Sequence, residues 1–578
     1  MKTIYKTLFF AMFLFSITIN SQSILDNYEG IPIETSLDWW NLQSIPQSVD
    51  SMELAGVDIV HISFANQTQL TTYFNNYNMD LLPITTPKPT TGVYNWIQYY
   101  TDAKYSVWEA EGTPSEKGNA TIFRSPKTEI DPTNQFIRLK NQYVGDTCTM
   151  SYGPYYLQDV EYETYENGGS GHELVQYDAE FWLKLECIGQ DIAAPTDTLC
   201  ILQVTQSTWQ LACSDTIAEI GVTRENFTSL NTFLPFQIID YTLENFDCPR
   251  ETNDILPPQN HYFSTDYLLD GVAPGPRWIR ERIEFKVIWK GNPNYNLSYD
   301  KVILSDSRGS TLKDPSSFAI TNLTAQINSL SSHQNSVFGW LGIDEPQSID
   351  QFEPIRVVDS LIRASTQNQK ALVVPIMGCL WDGTFSHFND AGSMRLNKYE
   401  ELSERIGNLD IIQNAYMFDT PCHSGNDTLD KCDDDDIRAI NISVAANDIY
   451  RHTYKYFPNF GASLQCGAVY NTQANQRNVA RHEVLYSANL ALMYGAKYLQ
   501  LWRYFPSNDI HSPNNGGTFH GIVDWMRGSG NQIIPIYTDK YFMLKDILSP
   551  RLKGLFGKTI KHLVPDSTKV LGKDVLID

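Results

Sequence analysis

Positive charge is scarce in this chain: 43 Lys and Arg stand against 67 Asp and Glu, a formal net charge of -24 at pH 7. A protein that grips nucleic acid needs a basic stripe; none occurs, so nucleic acid is excluded as a partner and a strongly anionic substrate is disfavoured. Long apolar runs are missing as well. No stretch beyond the N-terminus reaches the length of a spanning helix, so no membrane span is expected. Neither a CxxC nor an HExxH spacing appears, which removes the common zinc sites, and no metal or cofactor is expected in the chemistry. The acidic run Asp433 to Asp436 lacks the alternating ligand positions of a calcium loop and reads as a helix N-terminus, where negative charge is favoured.

What is present begins with "MKTIYKTLFFAMFLFSITINSQ", residues 1–22. Lys2 and Lys6 precede an apolar run of about ten residues and then small polar ones, the pattern of a secretory signal. A secreted or extracellular protein is expected, periplasmic or cell-surface placement included. The nine cysteines suit an oxidising compartment. Cys422 and Cys432 bracket one loop, and Cys187 and Cys200 another. An odd number leaves at least one thiol unpaired, and Cys379 and Cys466 read as small buried apolar residues.

The second half alternates regularly. "VFGWLGID", "ALVVPIM", "IQNAYMFD", "FGASLQC" and "KYLQLWRY" are short apolar runs separated by helical periods, the signature of parallel strands covered on both faces. Near the N-terminus "IPIETSL", "VDIVHISF" and "MDLLPITT" supply three more, with helices between them. Three and five make eight. An α/β fold of the (β/α)8 TIM-barrel type is therefore expected, with strands one to three in 23–103 and strands four to eight plus a C-terminal helix in 309–578.

Residues 104–308 interrupt this pattern. Runs such as "ELVQYDAEFWLKLEC" and "ERIEFKVIWKGN" alternate apolar and polar residues between Gly, Pro, Asn and Asp turns, so an inserted antiparallel β-sandwich is expected there.

Strand four ends in "VFGWLGIDEPQSID", where an apolar run stops at Asp344, Glu345 and Pro346. Catalytic side chains of a barrel come from the C-terminal ends of its strands. Alternation puts Phe338, Trp340, Gly342 and Asp344 on one face, expected to be the inward one. Pro346 ends the ladder and holds Glu345 extended over the mouth. Two crowded carboxyls in a partly apolar pocket raise one pKa, as glycosidic cleavage requires of its general acid. Glu345 has the better reach for that role.

"GIDEP" resembles the acid-bearing strand of barrel glycoside hydrolases. The large clan that cleaves through a glycosyl-enzyme has, by family pattern, a second Glu at the end of strand seven, and "FGASLQCGA" has none. The adjacent Asp-Glu pair is instead similar to the β-N-acetylhexosaminidase families. That resemblance implies that a 2-acetamido group of the substrate is the nucleophile, that Asp344 assists it, and that Glu345 protonates the leaving oxygen. It also implies that Trp502, in "LQLWRY", floors the sugar site. The texture of the insert, "YSVWEAEG" included, resembles galactose-binding-like carbohydrate-binding modules, and this resemblance implies a structural calcium at Glu109 and Glu111.

Asp419 in "AYMFDTPCHS" is the alternative second carboxylate, for an inverting mechanism with the two carboxyls about 6.5 to 9.5 Å apart, or for a conventional retaining one. Trp381 and Asp382 after strand five, Trp40 with Trp39 near strand one, His61 on strand two, and Arg503 with Tyr504 on strand eight are rim candidates for a carbohydrate substrate. A non-catalytic glycan-binding protein is the rival from another class.

Overall fold

The computed structural model describes, in the main, residues 28–36, 45–111, 122–140, 148–156, 173–207, 214–242, 282–343, 351–376, 409–415, 453–470, 478–505, 517–529 and 533–562. One nine-stranded sheet organises the two ends of the chain. Its parallel members are β1 (Ile33–Ser36), β2 (Ile59–Ser63), β3 (Asp80–Pro87), β4 (Trp340–Leu341), β5 (Leu372–Ile376), β6 (Asp410–Ala415), β7 (Gly461–Gln465) and β8 (Tyr498–Trp502). They are ordered β4-β5-β6-β7-β8-β1-β2-β3, and a two-residue strand, Val93–Tyr94, adds antiparallel to the end of β3. The sheet is curled. Val337, just before β4, forms a parallel bridge with Leu81 of β3, and the Phe338 N–H donates to the Leu81 carbonyl at 2.8 Å.

Helices connect the strands and cover the outer face: α1 (Ile45–Leu54), α2 (Gln67–Asn76), α3 (Trp96–Thr101), α4 (Ser307–Leu312), α5 (Phe318–Asn328), α6 (Phe352–Ser365) and α7 (Arg481–Met493). α2 starts where the Asn66 side chain accepts from the Gln69 N–H, a capping bond that satisfies one orphan donor. α6 turns Phe352, Ile355, Val358 and Ile362 toward the sheet, one apolar stripe at helical spacing. All five side chains of β5 are buried, as the unbroken "LVVPI" requires of a strand covered on both faces.

The phase of strand four differs from the simple alternation. Phe338 and Leu341 join the inner apolar cluster with Ile59, Leu82, Val373 and Ile412, whereas Val337 and Trp340 pack with the outer layer. The period slips at Gly339, and Gly342 faces the outer side chains: a Cβ there would lie 3.2 Å from Val374. Trp340 and Gly342 are thus not on the inward face with Phe338. Gly461 is required for another reason. A Cβ on it would lie 2.2 Å from the Tyr498 ring, which crosses the interior to donate to the Ile411 carbonyl at 2.9 Å.

Between α3 and α4 the chain forms two antiparallel sheets. One holds 234–242, 176–187, 295–306, 137–139 and 128–130, with 105–109 pairing to 295–306; the other holds 214–223, 198–207, 282–289, 148–156 and 122–124. Along 176–187, Tyr177, Ala179, Phe181, Leu183 and Leu185 are buried while their neighbours are half-exposed, so one face of the sheet builds a core. Phe181 of one sheet meets Phe285 of the other edge to face at 6.3 Å. Cys187 and Cys200, which bracket a loop in the sequence, are both free thiols, because they sit in different sheets opposite Tyr295 and Trp289.

Candidate functional site

The inner face of the curled sheet is apolar at its base, where Ile59, Leu82, Phe338, Val373, Ile412 and Tyr498 fill it. Toward the C-terminal ends of the strands the same face becomes polar. Alternation carries it from Tyr498 to Gln500 and Trp502, and from Ile59 to His61 and Ser63. The pairing register sets Glu34 between Gln500 and Ile59, Ser463 beside Gln500, and Ser36 beside His61. Four neighbouring strands thus bring Ser463, Gln500, Glu34, Ser36 and His61 to one surface.

Glu34 is fully buried, and its Oε1 accepts from the Gln500 side-chain amide at 2.9 Å. Burial pushes its carboxyl up to about 8, against the opposing pull of the Gln500 bond, so the group keeps its proton at neutral pH. His61 shifts the other way. Burial first, and the Arg503 charge second, push its imidazole down to about 3, so it stays neutral. The His61 ring keeps partial exposure, yet its Nε2 is wholly enclosed. Five buried polar atoms on this face, Glu34 Oε2, Ser36 Oγ, His61 Nε2, Ser63 Oγ and Ser463 Oγ, have no hydrogen-bond partner among the described residues. An unmade buried hydrogen bond costs about 1 to 3 kcal/mol, and five such atoms share this one face.

Trp502 ends β8 half-buried, beside Gln465 of β7, and the Arg503 guanidinium lies 5.0 Å from its ring centroid. Their shared peptide bond is cis. Of the rim candidates, His61, Trp502 and Arg503 are therefore brought together. Tyr504 is not. It is fully buried, and its hydroxyl donates to Ser51 of α1 at 2.8 Å, a packing position that ties β8 to the first helix. Glu34, Gln500 and Ser463 were not singled out from the sequence, although a carboxylate in the middle of "IPIETSL" was a visible signal: a charged group in a strand buried on both faces needs a reason.

Asp344, Glu345, Trp40, Trp381, Asp382 and Asp419 lie outside the described residues, as do the signal segment, Asp433 to Asp436 and the loop between Cys422 and Cys432. In the antiparallel sheets, Glu109 and Glu111 are joined by Asp300, each placing a carboxylate oxygen within 4.8 Å of the others. Burial raises the Asp300 carboxyl, and Lys301 Nζ at 3.6 Å offsets part of the charge. All-oxygen donors suit a hard cation such as calcium, although three ligands fill only part of its shell.

No protein-family model and no curated protein matches this sequence. Among solved structures, a xylan-binding module is similar at 9% identity and TM-score 0.19, covering 35% of this chain and 97% of its own. A Clostridium thermocellum endo-1,4-beta-D-xylanase with a carbohydrate-binding module is similar at 10% identity and TM-score 0.20, covering 71% and 68%. The catalytic domain of a Paenibacillus polymyxa beta-amylase is similar at 8% identity and TM-score 0.26, covering 82% and 93%.

Proposed function

We propose that this chain is a secreted glycoside hydrolase, a closed (β/α)8 barrel carrying an inserted β-sandwich over residues 104–308 and led by a signal segment at 1–22. The bridge between Leu81 and Val337 supports closure, since it joins the two ends of the strand order. The observation that carries the functional reading is the polar layer of β7, β8, β1 and β2. Its atoms without a partner among the described residues are those of a protonated carboxyl, a neutral imidazole and three hydroxyls, and half-buried Trp502 ends the same strand as Gln500. Such a set takes an uncharged ligand dense in hydroxyls, with one apolar face for the indole. A sugar ring has both properties.

Glu345 is the general acid in this proposal, and Asp344 assists a 2-acetamido nucleophile of the substrate. The make-up of β7 supports this over a two-Glu mechanism, because its five residues include no carboxylate. Asp419 is the second carboxylate of the competing inverting or conventional retaining mechanism, in which no 2-acetamido group is needed. Hydrolysis of chromogenic glycosides with and without that group, by wild type and Glu345→Gln, separates the readings. Turnover confined to 2-acetamido sugars and lost in the variant supports substrate assistance. Turnover of plain glycosides moves the second role to Asp419. Sugar binding without turnover, untouched by Glu345→Gln, leaves a glycan-binding protein.

A further inference from the structure

A turn at residues 520–524 is fastened to the chain just past the C-terminal ends of β7 and β8. After β7, the Cys466 N–H donates to the Trp502 carbonyl at 2.6 Å, and Ala468–Tyr470 then pairs antiparallel with Gly517–Phe519, Ala468 opposite Phe519. After β8, the Arg503 carbonyl accepts from the Ile522 N–H at 3.2 Å and the Tyr504 carbonyl from the Val523 N–H at 2.9 Å. His520 stands between these two attachments. Thr538 adds a third, its hydroxyl donating to the Ile522 carbonyl at 2.7 Å. Gly521 fits only without a side chain, since a Cβ on it would lie 2.4 Å from the Tyr504 carbonyl oxygen.

Within this clamp His520 has a φ of +53°, a left-handed backbone that favours glycine. Asp524 is buried, and both its oxygens are engaged: Oδ1 accepts from the Gly521 N–H at 2.8 Å, and Oδ2 lies 3.0 Å from His520 Nδ1. A carboxylate oxygen can only accept, so in the neutral ring the hydrogen sits on Nδ1 and Nε2 keeps its lone pair. The His520 side chain is 41% exposed, and its Nε2 takes no hydrogen bond among the described residues. A turn alone does not call for histidine at a left-handed position, where glycine or asparagine is less strained. Backbone strain kept under an imidazole that a buried carboxylate orients is the combination found at functional positions.

Arg503 links this turn to the polar layer. Its carbonyl holds Ile522, its guanidinium lies against the Trp502 ring, and its charge acts on His61. We propose that His520 is a further sugar-contacting residue of that layer, its Nε2 accepting the hydrogen of a ring hydroxyl, and that Asp524 is the positioning residue that fixes its tautomer. This rests on the sugar-binding reading above. A neutral sugar needs acceptors as well as donors, and an imidazole held in one tautomer supplies an acceptor of fixed direction.

The test is nitrogen-15 NMR of the full chain carrying labelled histidine, at pH 8, with signals assigned by their absence in His520→Asn and His61→Gln. Asn tolerates a left-handed backbone, and His520→Gly serves in its place if the Asn variant does not fold. Wild-type His520 should carry its hydrogen on Nδ1. In Asp524→Asn the amide oxygen can keep the Gly521 bond while its N–H meets the ring, so the hydrogen should move to Nε2. N-acetylglucosamine, galactose and xylose are the probes. At least one should shift the His520 signal, and its Kd should rise on the order of tenfold in both His520→Asn and Asp524→Asn while the His61 signal of the sugar-free variants stays in place. A wild-type His520 with its hydrogen on Nε2 overturns the inference. So does a sugar that shifts His61 yet binds His520→Asn as tightly as wild type, a result that leaves the sugar-binding reading standing. If no sugar shifts either histidine, the sugar-binding reading fails and this inference fails with it.

Discussion

Replacing Glu34 by Gln should make the protein more stable, and by an amount that grows with pH. The carboxyl rises from an ordinary 4.5 to about 8 on folding. Over that interval the unfolded chain has released this proton while the native state keeps it, so each pH unit upward removes about 1.4 kcal/mol of stability. The sign is fixed by the direction of the shift: the native state is favoured below the unfolded value, and the advantage is lost as pH rises toward the folded one. At pH 7 the accumulated cost is about 3 kcal/mol, and at pH 5 under about 1 kcal/mol. Gln has nearly the same shape, can still accept from Gln500, and titrates nowhere in this range. Urea unfolding of wild type and Glu34→Gln at pH 5, 7 and 8 should show near-equal midpoints in acid and a gap that opens steadily upward. A gap that does not change with pH, or a variant less stable throughout, would refute the claim that Glu34 is buried as a neutral acid.

His61 acts in the opposite sense. Its imidazole falls from 6.5 to about 3, so below pH 6.5 the unfolded chain takes a proton that the native state refuses, and wild type loses about 2 kcal/mol by pH 5; His61→Gln should flatten this acid limb in the same unfolding series. Gly461→Ala drives a methyl into the Tyr498 ring and should cost about 2 kcal/mol, measured by the same unfolding and relieved when Tyr498 is also shortened to Leu. Tyr504→Phe should cost about 1 kcal/mol through the lost bond to Ser51 and leave glycoside binding unchanged; weaker binding without loss of stability would return Tyr504 to the rim.

The strands were legible where burial leaves no choice. "LVVPI" cannot face water on either side, and the strict alternation of 176–187 can serve only a sheet with one covered face. The phase of strand four was not legible, because the slip between Phe338 and Trp340 shifts the side chains by one position and no local pattern records it. Proximity of cysteines along the chain does not set their partners, for a related reason. Cys187 and Cys200 are close in sequence, but strand pairing sends them to separate sheets. Tyr504 looked like a rim residue because it follows Trp502 at a strand end, and only the tertiary approach of α1 shows where its hydroxyl goes. Glu34 and Gln500 lie 466 residues apart in the chain, so their bond is a product of the curl of the sheet and of no local pattern.

That bond also separates a structural role for Glu34 from a functional one. Removing one partner of a buried polar pair is ordinarily destabilising, because the other is left unpaired. Here the proton linkage makes stability fall as pH rises toward neutrality, and the second carboxyl oxygen has no partner among the described residues. At His61 the linkage runs the other way, and its Nε2 likewise has no partner among the described residues. Two groups held neutral, on adjacent strands of one polar face, are what the proposed sugar-binding surface requires. If this is correct, Glu34→Gln should raise the unfolding midpoint while weakening the binding of a neutral sugar, because an amide N–H replaces a stronger carboxylic donor. A variant that gains stability and binds sugar as tightly as wild type would separate the two and leave the acid without a role in recognition.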